Sequence, residues 1–351
     1  MIRNLQGLRF IFSFNILISH LLGQASSTFG LDEFGVSGFF VLSGFVLSVA
    51  YGTKIENGTF RTGKLFLRQW AKIYPLHLAT FILDIFYSAH YGTYYNWRQL
   101  LPPVFLLQSW IPDDWYHYIP NGSSWSLSGF FFFYILFSSA YLIIHRMRTR
   151  VLLTTLTLGA ASYMAIILSL PESTVYPFIY TSPIMRLPEF ILGISLCRLM
   201  RSDCGDCAKA WLLKRSAWQL TLIESVVLVS PVITFLVYGQ TNPAIRCVSL
   251  FWPFVGAQLL LFSWNDNGNG LITRLFHTPA VIFLGGISFE LYLTHMFVVP
   301  IARSIAFKIG LCPIGIVALL FAIAGSFPLA WLSKRFFVEP LFNYFKQRIG
   351  F

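Results

Sequence analysis

Apolar runs long enough to cross a lipid bilayer recur from one end of this chain to the other, and that recurrence limits the fold more than any single motif. Ten candidate spans of roughly 16–25 residues fall near 4–23, 34–52, 66–89, 125–145, 150–170, 185–200, 218–238, 245–264, 279–302 and 312–333. Of the 351 residues, 56% are hydrophobic and 11% charged, and the mean hydropathy is +0.66. A water-soluble domain cannot hide that much apolar surface. In lipid a segment must satisfy its own backbone, so the runs read as helices. The expected fold is all-α: a polytopic membrane helix bundle of about ten transmembrane helices, forming a single domain over 1–351 with no separate soluble domain. The third span is the weakest, because Lys72 and Pro75 interrupt its start and Asp84 lies near its end. Residues 99–110 are apolar but short and carry Pro102 and Pro103, which suits an interfacial or re-entrant piece better than a span.

The formal charge of +11 raises nucleic acid as a partner, but the basic residues sit in short loops between apolar runs, which argues against it. With the N-terminus in the cytoplasm, nineteen Lys and Arg residues fall inside and five (Arg98, Arg186, Arg246, Arg303 and Lys308) outside. That asymmetry predicts both termini on the cytoplasmic face. The first apolar run holds Arg9 and Asn15 and no cleavage site follows, so it reads as a retained helix. Five cysteines form no framework; Cys204 and Cys207 make one C-x-x-C, short of a four-ligand zinc site, and read as reduced thiols, with no metal expected. The loop 90–124 is rich in Trp and Tyr (Tyr94, Tyr95, Trp97, Trp110, Trp115, Tyr116, Tyr118), which suits either the headgroup zone or stacking on sugar rings.

Arg9 and His20 stand out because each lies inside the otherwise apolar first run. Eleven helical steps return them to nearly one face, roughly 16 Å apart along the axis. A guanidinium and an imidazole on one stripe of a membrane helix are costly and point to a functional site facing the bundle interior.

The same residues open a pattern that resembles the acyltransferase-3 family of integral membrane acyltransferases. The resemblance runs through Leu5-Gln6-Gly7-Leu8-Arg9 with His20 at R-x10-H spacing, then Phe39-Phe40-Val41-Leu42-Ser43-Gly44-Phe45. Tyr74-Pro75-Leu76, Trp125-Ser126-Leu127-Ser128 leading to Phe133-Tyr134, and Arg186-Leu187-Pro188-Glu189-Phe190 with Gly193 follow in order. Ile287-Ser288 to Tyr292-Leu293 with His295, and Glu339-Pro340, complete it over nearly the whole chain. Three positions depart from the family pattern. Gln6 stands where Asp is usual, Gly129-Phe130 replaces Val-Glu after the Trp-Ser-Leu-Ser run, and Gln69 and Lys72 replace the basic pair before Tyr-Pro.

The resemblance implies an O-acyltransferase of the membrane, bacterial inner membrane in location, with no bound cofactor. Acetyl-coenzyme A or another acyl-coenzyme A would be the cytosolic donor, and a hydroxyl of a cell-surface or lipid-linked glycan the acceptor. With no appended esterase-like domain, transfer to the acceptor would finish within the membrane part or on a partner. His20 is the natural base, since an imidazole passes protons in either direction near neutrality; a structural histidine bonded to a neighbouring helix is the alternative. Arg9 would hold a donor phosphate or polarise the thioester, or else snorkel to headgroups. Arg68 and Lys72 suit coenzyme A phosphates as well as ordinary cytoplasmic-face charge. Ser43 beside Gly44 suits helix packing or a substrate contact. Trp125, Ser126 and Ser128 suit acceptor binding or local helix bonds. Arg186 and Glu189, three apart, suit each other or the acceptor. His295 would orient the acceptor or relay a proton, or be structural. Two other classes remain open: a transporter or flippase using Arg9, His20, Glu224, Glu290 and His295 as a path, and a non-catalytic relative, suggested by Phe130. Repeated halves, common in transporters, are absent from the sequence.

Overall fold

Each of the ten apolar runs lies on helix in the computed structural model, which describes residues 2–23, 30–266 and 268–351; the side chains of residues 114, 115 and 235 lie outside that description. The principal helices are α1 (Asn4–Leu22), α2 (Leu31–Glu56), α3 (Thr62–His90), α4 (Trp125–Arg146), α5 (Thr149–Ser169), α6 (Pro183–Met200), α7 (Ala217–Val229), α8 (Trp252–Trp264), α9 (Pro279–Gly286), α10 (Ser288–Lys308) and α11 (Ile316–Ser333). Among the described residues seven helical segments are long and apolar enough to cross a membrane; the pair α9 and α10, bent by 68°, makes an eighth if it is one span. Helix α3 is 29 residues long but carries Lys64, Arg68, Lys72 and Asp84, and α6 carries Arg186, Glu189 and Arg198 in 18 residues, so neither is apolar enough to stand among those seven. The run at 312–333 continues without a break through a π-turn at Lys334–Val338 as far as Ile349. The piece at 99–110 is a short helix, Trp97–Val104, and a single 3-10 turn, with Trp97, Leu101, Phe105 and Leu107 exposed. Exposed rings also mark Tyr94, Trp110 and Tyr118 in the same loop, whereas the side chain of Trp115 is outside the described set.

The helices sort into a centre and a rim. Two thirds of the apolar window of α2 (67%) is buried inside the protein, against 11% for α5 and 22% for α7, so α2 faces protein and α5 faces lipid. Contacts of α2 run to α1, α4 and α6. Two glycines allow the tightest of these crossings. A Cβ on Gly193 would run into the Val41 carbonyl and come 2.8 Å from the Phe45 nitrogen, and one on Gly44 would run into the Phe190 carbonyl. Backbone meets backbone there, as small residues permit in membrane bundles. Gly193→Ala is expected to cost on the order of 2 kcal/mol and to lower the melting temperature in detergent. An unchanged melting curve would show that α2 and α6 do not cross so closely.

Glu224 of α7 is fully buried and saturated with donors. It accepts from Asn265 Nδ2 (2.7 Å), Thr273 Oγ1 (2.6 Å) and the backbone N–H groups of Ile272 (3.0 Å) and Thr273 (3.4 Å). Asn4 at the start of α1 joins the same tie through the carbonyls of Phe262 (2.9 Å) and Asn265 (3.1 Å). The acid that a transport path would need at this position is therefore committed to holding α7, the end of α8 and the helix at Leu271–Phe276 together.

Candidate active site

Helix α1 packs against α2, α9 and α10, and its two ionisable residues, Arg9 and His20, meet protein. Arg9 lines a cavity of about 190 Å³. The same cavity is walled by Ser43 of α2, Gln69 and Lys72 of α3, Ser126, Phe130 and Tyr134 of α4, and Tyr292 of α10. Tyr134 faces Ser43 and Arg9, and Phe130 packs on Phe40 with ring centroids 4.8 Å apart. The wall is thus aromatic where the family pattern has a carboxylate.

Charge around the Arg9 end is unbalanced. Arg9, Lys72 and Lys334 all act electrostatically on Glu290, and Arg68 adds to the field at Lys72. Glu290 is 2% exposed, and among the described residues its Oε2 has no hydrogen-bond partner. Lys334 donates to the Gly286 carbonyl at 2.6 Å, where the bend between α9 and α10 leaves a carbonyl to accept it. Three cations against one carboxylate inside a membrane bundle call for a further anion. Arg68 itself is exposed and outside the cavity wall.

At the other end of α1, His20 meets His295. Their rings stack with centroids 4.9 Å apart and 4° between planes, and His20 Nδ1 lies 2.6 Å from His295 Nε2. His295 Nδ1 lies 3.0 Å from the Leu291 carbonyl. A carbonyl only accepts, so His295 carries its proton on Nδ1 and offers the Nε2 lone pair. His20 must then donate from Nδ1, which leaves the lone pair of its own Nε2 available. Among the described residues no hydrogen bond engages that nitrogen. The tautomer a general base needs is set by a main-chain carbonyl two links away. Tyr292 stands between the imidazoles and the cavity: it lines the cavity, its hydroxyl meets Ser126 Oγ at 2.9 Å, and its ring centre is 6.3 Å from that of His295.

The other candidate residues lie apart from the cavity. Arg186 and Glu189 have no exposure and pair at 3.0 Å. Arg186 also donates to the Cys247 carbonyl (2.8 Å) and Ser37 Oγ (3.3 Å) and sits over the rings of Phe40 and Tyr180, while Trp252 Nε1 donates to Glu189 at 3.1 Å. Trp125 is buried between Phe40 and Tyr180, and Ser128 donates to Gln108 at 3.2 Å. No group of three His, Cys, Asp or Glu among the described residues is placed to hold a metal. Lys334 escaped the sequence reading because it looks like an ordinary cytoplasmic cation at the end of an apolar run. The signal that could have found it is the intramembrane acid Glu290, which needs a positive neighbour.

A helical membrane bundle with a proton-accepting imidazole one side chain from a cationic internal cavity has the parts of a membrane-embedded group-transfer enzyme. An acyltransferase-domain family profile matches residues 2–335. The chain belongs to the acyltransferase-3 family of integral membrane acyltransferases. It is 30% identical over 292 residues to Acyltransferase MdmB of Streptomyces mycarofaciens, covering 77% of this chain and 68% of that one. It is also 36% identical over 83 residues to Protein 2 in picA locus of Rhizobium radiobacter, covering 22% and 41%. No solved structure matches the chain.

Proposed function

We propose that this protein is an O-acyltransferase that moves an acyl group, acetyl in the first instance, from cytosolic acyl-coenzyme A to a hydroxyl of a cell-surface or lipid-linked glycan. In this reading about ten spans cross a bacterial inner membrane as one domain, with both termini cytoplasmic. The observation that carries it is the unengaged Nε2 of His20 at one end of α1 with the cation cluster at the other. An elongated donor, phosphates at one end and thioester at the other, suits that separation. Arg9, Lys72 and Lys334 would neutralise donor phosphates, and the enclosed cavity would hold its chain. The acceptor O–H would lose its proton to His20 Nε2 as its oxygen bonds the thioester carbon. The carbon–sulfur bond would then break, and His20 would return the proton to the leaving sulfur. Arg186 and Glu189 act in this reading as scaffold behind the wall.

The test is thiol release from acetyl-coenzyme A by the purified protein in lipid nanodiscs, with octyl glucoside as a hydroxyl probe. Transfer of acetyl to the probe is expected, whereas a transporter or a non-catalytic relative would release no thiol. Lys72→Gln should raise KM for acetyl-coenzyme A about tenfold with kcat held, the mark of lost ground-state binding. An unchanged KM would remove Lys72 from the donor site.

A further inference from the structure

The end of α1 that carries His20 is braced by α2 in a register set by small residues. A Cβ on Gly35 would come 2.6 Å from the Phe12 carbonyl and 2.5 Å from the Ile16 side chain, and one on Gly38 would come 2.7 Å from the Phe12 ring. The two helices therefore run antiparallel in close contact, and the next step of the same register sets Ser19 opposite Asp32. Ser19, 2% exposed, donates to Asp32 Oδ1 at 2.9 Å. His20 is the next residue, and the Asp32 carboxylate acts on it through space. Asp32 forms no salt bridge among the described residues. Its neighbour Glu33 takes a hydrogen bond from Tyr238 at 2.5 Å, with Arg246 over the Tyr238 ring, and its side chain also bonds the Asp32 carboxyl group. From α10, His295 faces His20 and Arg303 lies beside Gly23. Of the two acids, Asp32 is the one whose charge acts on His20 from the α2 side.

We propose that Asp32 is a positioning residue for acyl transfer: held by Ser19, its carboxylate stabilises the imidazolium that His20 becomes on taking the acceptor proton. The inference rests on His20 acting as the base. During the step the acceptor O–H bond breaks and an N–H bond forms on His20, so a positive charge appears beside a fixed negative one. That charge disappears again when the proton passes to the departing sulfur. Asp32 and Glu33 also sit in the first turn of α2, where acids favour the helix dipole, and a purely structural Asp32 would do only that.

The experiment compares wild type, D32N, D32E and H20A in nanodiscs, with acetyl-coenzyme A and octyl glucoside as probes and thermal melting alongside. Asp32→Asn keeps an acceptor for Ser19 and a hydrogen-bonding group beside Glu33 while removing the charge. It should lower kcat about tenfold, leave both KM values within about twofold and melt near wild type. Asp32→Glu should recover most of the rate. A Asp32→Asn protein with wild-type kcat, or one whose loss tracks a lower melting temperature and is not rescued by glutamate, overturns the proposal while leaving His20 as base. Full activity in His20→Ala would instead overturn the base itself and Asp32 with it.

Discussion

His20→Ala is expected to lower acyl transfer about a thousandfold, within the range by which a positioned base speeds proton transfer. The variant should fold, because His20 is half-buried and, among the described residues, its side chain hydrogen-bonds to His295 alone. His295→Ala should do less, about tenfold to a hundredfold, since it leaves the base in place but releases its tautomer. His295→Gln provides the sharper check. A glutamine carbonyl can accept from His20 Nδ1 as the imidazole does, so it should retain more rate than alanine. Thiol release in nanodiscs reads all three, and mass spectrometry of glycan-bound acyl groups in complemented cells gives the same order. Equal rates for wild type and a well-folded His20→Ala would remove His20 from the chemistry.

Arg186→Met is expected to cost about 3–5 kcal/mol, the price of leaving one partner of a buried pair alone. The cause is specific. Glu189, itself without exposure, would keep only the neutral donors Trp252 and Ser37, and the Cys247 carbonyl and Ser37 would each lose the guanidinium. Adding Glu189→Gln should recover part of the loss, because it removes the stranded charge. Thermal unfolding in detergent, or loss of a monodisperse peak, measures it. Normal melting with a raised KM for the hydroxyl probe would make Arg186 an acceptor contact.

Much of this architecture could be read in the residues alone, for physical reasons that differ along the chain. Apolar length fixes a helix in lipid, so the segments from 4–23 to 312–333 were legible as helices. The breaks within 218–238, 245–264 and 279–302 were not, because a bend such as the one between Gly286 and Ser288 depends on what lies against it, here Lys334. Arg9 and His20 were legible because each is too costly in lipid to be idle. The meeting of His20 with His295 was not legible, since 275 residues separate them and no local pattern links two helices so far apart in the chain. Asp32 went unnoticed because an acid at a helix start looks like a cap. Its closeness to Ser19 follows only from the hairpin register that Gly35 and Gly38 permit. Arg186 and Glu189 offered two readings at i, i+3 spacing, and the structure has them paired with no exposure.

The glycine crossing of α2 and α6 bears on how the protein tolerates its surroundings. Ser43, on the cavity wall, is next to Gly44, which is locked main chain to main chain against α6. Helix α5, by contrast, is mostly bathed in lipid. When bilayer thickness changes, the outer helices can tilt to absorb the mismatch at a modest cost for each ångström. A backbone contact has no side-chain rotamers through which to give. The cavity wall should therefore keep its dimensions in thin and thick membranes alike, with the adjustment taken up at the rim.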